Sequence, residues 1–180
     1  MRKEIDLQGY RRLLANYRRS AWRFEQQTSY WLGYERAQFE RFLAGEPESP
    51  ADNPDLESWF DRVRSWVAQG RTIGRVRVVD EPPTDYQRWM LWMDRWNRDA
   101  GETIQYLSRS AAVEAGIIPQ AGAEDWWLFD DQQLVLTHFD EQGRPARYEL
   151  VEDEPAAIEQ AIRWRAWAVA AANRESAAVG

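Results

Sequence analysis

The run Arg75-Val76-Arg77-Val78-Val79-Asp80-Glu81-Pro82-Pro83-Thr84-Asp85-Tyr86-Gln87-Arg88-Trp89-Met90 carries a strand, a proline corner and the start of a helix. The β-branched stretch from Thr72 to Val79 favours an extended chain, and the two prolines cannot continue a ladder. Thr84 or Asp85 can accept a hydrogen bond from a free helical N–H. Tyr86, Trp89, Met90 and Met93 then recur at helical spacing. The reading is a strand over 72–79, a helix over 84–99, and a stop at Gly101. No nucleophile motif, metal quartet or phosphate loop flanks the run, so it decides fold rather than chemistry.

Upstream, residues 8–19 place Tyr10, Leu13, Leu14 and Tyr17 on one helical stripe. Residues 21–27 alternate, with Trp22 and Phe24 on one side and Arg23 and Glu25 on the other, the period of a half-buried strand. A helix over 32–44 presents Phe39, Phe42 and Leu43 and ends at Gly45 and Pro47, and the proline-rich stretch 46–54 is a loop. Leu56, Trp59, Phe60, Val63, Trp66 and Val67 define a helix over 55–69, closed by Gly70.

Downstream, 102–107 returns as a strand, and 109–123 reads as a helical turn and loop. Residues 125–130, 132–139 and 146–151 form a meander whose last turn is Asp140–Pro145. Pro155 suits a first helical position, and Ile158, Ala161, Ile162, Trp164, Arg165, Trp167 and Val169 follow in a terminal helix. The tail from Asn173 to Gly180 is small and polar enough to fray. The expectation is one α+β domain over 1–180, with an ordered core over 8–172. It has one largely antiparallel sheet of about four to six strands covered by several helices, and it ends on a C-terminal helix.

Composition narrows the chemistry. With 180 residues, 44% of them hydrophobic, and eleven tryptophans, the chain can bury a full core. The absence of cysteine excludes disulfides, thiolate catalysis and thiolate metal sites. His138, the single histidine, excludes a multi-histidine metal site within one chain. A net charge of −7 argues against nucleic-acid binding by the chain alone. No signal-like or membrane-length apolar run occurs, which points to the cytoplasm and away from membranes.

Three constellations could carry chemistry. Asp85, Tyr86 and Arg88 at the helix start could bind a polar ligand, or could be a cap, a core tyrosine and a surface arginine. Asp125, Asp130 and Asp131 with His138 could hold magnesium or act as acid and base, although aspartates between strands commonly make turns. Arg75 and Arg77 share one strand face and could clamp an anion or simply face solvent. If helices cover both sheet faces, they must instead find acids such as Asp85, Glu102 or Asp130. On the helix over 84–99, Trp89, Trp92 and Trp96 spread apolar surface too widely for one stripe, so they either pack within the chain or line a pocket or interface. No catalytic residue is identifiable, and neither a metal nor a cofactor is implied.

The segments Arg18-Arg19-Ser20-Ala21-Trp22-Arg23-Phe24-Glu25, Arg75 to Tyr86, Gly101-Glu102-Thr103-Ile104 and Trp126-Trp127-Leu128-Phe129-Asp130-Asp131 occur in this order. So arranged, the chain resembles a large actinobacterial family of a domain of unknown function. Members of that family are often encoded beside helix-turn-helix (Xre-like) regulators in Streptomyces and its relatives. The resemblance covers most of residues 10–170, and it supplies no catalytic residues. It implies a non-enzymatic regulatory or interaction domain working with a protein partner such as a helix-turn-helix regulator. The alternative is an enzyme or small-molecule-binding domain of specialised metabolism, with an aromatic pocket and Arg75, Arg77, Asp85 and Tyr86 as polar anchors. A concave pocket with converging buried arginine and acid favours the alternative; an exposed apolar patch on a pocket-free surface favours the partner.

Overall fold

The computed structural model describes residues 1–179; Gly180, the end of the stretch expected to fray, lies outside them. In chain order the elements are β1 (Arg2–Ile5), α1 (Leu7–Asn16), β2 (Ser20–Glu25), α2 (Arg36–Leu43), a 3-10 turn (Pro50–Asp52) and α3 (Pro54–Ala68). They continue with β3 (Thr72–Val79), α4 (Asp85–Asp99), β4 (Thr103–Ser108), α5 (Arg109–Glu114), β5 (Asp125–Phe129), β6 (Gln133–Phe139), β7 (Pro145–Val151) and α6 (Pro155–Val179).

The seven strands form one sheet in the order β1-β7-β6-β5-β2-β3-β4. Four of its pairings are antiparallel, whereas β2–β3 and β3–β4 are parallel. The sheet is therefore larger than expected, and mixed rather than largely antiparallel. The parallel part arises because α2 and α3 carry the chain from β2 to β3, and α4 carries it from β3 to β4; a helical crossover returns the chain in its starting direction. The extra strand, β1, is mostly exposed and polar. It joins the edge through its backbone, so hydrophobic alternation gives no sign of it.

Both faces are covered. Trp22, Phe24, Val76, Val78, Trp126 and Leu128 pack towards α5 and α6. Ala21, Ile73, Trp127 and Phe129 face α1, α3 and α4. Leu56, Phe60, Val63 and Trp66 make the buried stripe of α3. Val67, expected on that stripe, is instead 38% exposed, at the margin where it meets Gly101. The backbone of Gly101 has φ +106°, a conformation that suits glycine and lets the chain leave α4 for β4. Helix α6 runs through Asn173, which accepts a hydrogen bond from Gln105 at 2.6 Å, and Glu175, which accepts one from the Ser108 N–H at 2.8 Å. These two contacts tie its last turns to β4.

At the proline corner the Glu81–Pro82 bond is cis. Thr84, not Asp85, caps α4: its hydroxyl accepts from the Gln87 N–H at 3.1 Å, and the Gln87 side-chain oxygen accepts from the Thr84 N–H at 3.0 Å. Asp85 points to solvent and pairs with Arg88 one turn on. Thr84→Ala should therefore cost about 1 kcal/mol, and Asp85→Ala should stay within about 0.5 kcal/mol of the parent. Urea denaturation of the two variants separates them, and the reverse order would reassign the cap.

Candidate functional site

The face of the sheet beneath α1, α3 and α4 has a polar centre. Parallel register sets Arg23 beside Arg75 and Glu25 beside Arg77, and Trp127 lies opposite Arg23 on β5. Like charges on adjacent strands would repel; Glu25 resolves this as the counter-charge shared by all three guanidiniums, and it accepts a hydrogen bond from Arg75. Its Oε1 lies 2.6 Å from Arg23 and 3.0 Å from Arg75, and its Oε2 lies 3.2 Å from Arg77.

Three further carboxylates close the network. Glu102 takes Arg75 at 2.6 Å, Asp94 takes Arg77 at 3.1 Å, and Asp125 takes Arg23 at 3.3 Å. Asp94 also accepts from Asn97 at 3.3 Å and from the Tyr106 hydroxyl at 3.0 Å, and Asp125 accepts from the Tyr30 hydroxyl. Arg75, Arg77 and all four acids are buried.

The environment sorts these acids. Burial pushes the Glu25 carboxyl up, but Arg23, Arg75 and Arg77 together outweigh it and bring it down to about 2. For Glu102 and Asp125 burial prevails, and both are raised despite their arginines.

Over this floor lies a cleft of about 490 Å3, with Arg23, Glu25, Arg75 and Trp127 at its base. Tyr10 of α1, stacked on Tyr148 of β7 at 4.7 Å, walls one side. Trp59 of α3 and Tyr86, Met90 and Met93 of α4 wall the other, and residues 30–35 close over the top. The indole N–H of Trp59 donates to Asn97 at 2.9 Å, whereas the Trp127 Nε1 and the Arg23 Nε are buried without hydrogen-bond partners among the described residues.

Glu35, just before α2, is 3% exposed and lines the cleft. Its Oε1 accepts from the Tyr86 hydroxyl, and no cation among the described residues pairs with it, unlike the four acids of the floor. Burial pushes its carboxyl up to about 7, against the Tyr86 hydrogen bond and the Arg77 charge, which pull it down. A carboxyl poised near neutrality in a cleft can hold or release a proton.

The sign of this shift is testable. Folded Glu35 keeps its proton between its ordinary value of 4.5 and about 7, so it withdraws stability as pH rises through that window. Glu35→Gln should therefore gain stability relative to the parent on going from about pH 5 to pH 8, by up to about 3 kcal/mol at roughly 1.4 kcal/mol per pKa unit. Paired thermal melts at the two pH values check this; a constant difference would place Glu35 in contact with water.

The family model for a domain of unknown function, DUF6879, matches residues 8–176. The chain belongs to the DUF6879 family. No curated protein matches it. The DUF6879 match contains every charged group of the floor, together with Glu35 and Tyr86.

Of the residues singled out in the sequence, Arg75 and Tyr86 line the cleft, and Arg77 lies behind it in the charge network. Arg75 does find Glu102, but Asp85 and Asp130, the other acids expected to meet these arginines, do not take part; Glu25 and Asp94 take their place. Asp85 and Arg88 are on the surface. Trp89 is fully buried between Phe39 and Tyr86, away from the cleft lining. Trp92 and Trp96 are half-buried, 4.8 Å apart; Phe42 of α2 packs on Trp92, and Arg95 lies over Trp96.

The acidic set separates. Asp130 accepts the N–H groups of Arg18, Arg19 and Ser20, Asp131 pairs with Arg165, and His138 lies near Glu124 and Glu149. No group of three among the described residues is arranged to hold a metal ion.

Arg23, Glu25, Tyr30 and Glu35 were not among the site residues read from the sequence. The alternation of Arg23 and Glu25 with Trp22 and Phe24 is the one signal that could have marked a pair of them, once both sheet faces are known to be covered. Glu35 has no such signal; it falls inside the helix expected over 32–44, three residues after that helix was expected to begin.

Proposed function

We propose that this DUF6879 chain is a small-molecule-binding domain whose ligand enters the cleft over the Arg23–Glu25–Arg75 floor. One observation carries the reading: the same central strands are apolar on the α5/α6 face and charged on the other, and the charged face is where the cleft opens. Packing alone does not favour this. Buried ion pairs are on balance no more stabilising than apolar side chains of the same volume. A cleft of this volume with aromatic walls and a few convergent polar groups has the character of a ligand site.

The test is a small-molecule screen read by NMR of the tryptophan indole N–H groups. Ligands should move the signals of Trp59 and Trp127, which line the cleft, and leave those of Trp22, Trp126 and Trp164 on the opposite face unmoved. A screen of several hundred diverse compounds that moves neither cleft signal would sink the reading.

A second reading rests on Leu7, Trp31 and Tyr34, three large exposed side chains that line the same cleft. They would suit a protein partner, such as a helix-turn-helix regulator in an actinobacterial cytoplasm, which would sense whether the cleft is filled. No helix among the described residues is long and apolar enough to cross a membrane. A regulator that docks there should move the Trp31 signal without moving Trp127.

A further inference from the structure

We infer that the ligand of the cleft is an organic cation, an ammonium or similar group whose charge is received by Glu35 between the rings of Tyr30, Tyr86 and Phe139. This deepens the small-molecule reading and rests on it. The argument is one of missing charge. Every acid of the floor has an arginine; Glu35, similarly buried, has only the Tyr86 phenol on Oε1, and no hydrogen bond from the described residues reaches its Oε2. A carboxylate removed from water without a counter-charge is costly, and a bound cation would supply that charge.

The surroundings suit a cation. Tyr30 lies 5.7 Å from Tyr86 and 5.3 Å from Phe139 between ring centroids, and all three rings line the cleft. Ring faces attract ammonium groups, the more so where water is excluded. The floor beneath contributes three guanidiniums against four carboxylates, so its sum does not oppose a positive ligand.

The titratable and charged groups that act on Glu35 are Tyr86 on α4, Arg77 on β3, Glu25 and Arg23 on β2, and the neighbouring Tyr34. The two arginines favour its ionised form and Glu25 opposes it. A cation at Oε2 would add a much closer favourable charge. Binding should then expel the Glu35 proton near neutral pH.

Three probes share one ring and differ in the end group: tyramine (ammonium), tyrosol (hydroxyl) and 4-hydroxyphenylacetate (carboxylate). By calorimetry, with the indole signals of Trp59 and Trp127 reporting the site, tyramine should bind about tenfold or more tightly than either of the others. Its affinity should rise about tenfold from about pH 6 to pH 8 as Glu35 ionises, while that of tyrosol stays flat. Glu35→Gln should abolish both the preference and the pH dependence. The pH series on the parent protein stands by itself should that variant fail to fold. Equal or tighter cleft binding of tyrosol or 4-hydroxyphenylacetate would overturn the cation inference and leave the small-molecule reading intact. Binding of none of the three would also overturn it, and the wider screen would then decide the parent reading.

Discussion

Glu25→Ala should lower the stability of the fold by about 3 to 5 kcal/mol, the cost of removing one partner from a buried ion pair. Glu25 is the carboxylate shared by Arg23, Arg75 and Arg77 as ion-pair partner, so its loss leaves three neighbouring guanidiniums facing one another. Glu102, Asp94 and Asp125 each still hold one arginine, but none lies between them. Glu25→Gln should lose much of the same energy, because its amide group would turn donors towards donors.

The acid response gives an independent check. Glu25 is depressed in the folded state to about 2 from an ordinary 4.5. Its contribution is therefore fully present above the ordinary value and drains away as pH falls from about 4.5 towards 2. The alanine variant should lack this part of the acid sensitivity. Urea denaturation at neutral pH and at about pH 3 measures both effects; a neutral-pH loss below about 1 kcal/mol would show that the arginines find other acceptors.

Trp89→Ala should be equally damaging, at about 3 to 5 kcal/mol, through a cavity rather than a charge. Trp89 is completely buried on α4, with the rings of Tyr86 and Phe39 each 5.5 Å away. Its indole N–H has no hydrogen-bond partner among the described residues, so Trp89→Phe loses volume without orphaning an acceptor and should cost far less than the alanine change. Denaturant midpoints of the two variants decide the point. Near-equal losses would mean that ring volume is not what Trp89 supplies. Because Tyr86 holds Glu35, the alanine variant should also disturb the cleft.

Both positions lie on the face of the sheet opposite α5 and α6, Glu25 in its charged centre and Trp89 in its apolar cover. The face towards α5 and α6 is apolar and self-sufficient, and α4 closes the other face with Trp89, Met90 and Met93. The charged centre lies within that second layer and requires the acids of β2, α4, the Glu102 turn and β5 to converge on three arginines. Such convergence constrains the helices above the sheet, and it also provides a polar base for a ligand that enters under residues 30–35.

Local chemistry was legible wherever neighbours in sequence are neighbours in space. The proline corner, the capped start of α4, the stripe of α3, the glycine stops and the meander of β5, β6 and β7 follow from dihedral limits, capping and periodicity, which act over a few residues. Family membership was legible too, because it resides in ordered motifs. The direction of β3 and β4 relative to β2 could have been read from the helices between them. The pairing of β1 with β7 could not, since a polar edge strand is held by backbone hydrogen bonds that any side chain permits.

The site depended on tertiary structure for a similar reason. Arg23 and Glu25 have the spacing of a solvent-facing side, and only the coverage of both faces turns that side into the floor of a cleft. Glu35 carries no pattern at all. Its significance comes from burial next to Tyr86 and from having no paired cation among the described residues, and charge balance in a buried space is a sum over residues far apart in the chain.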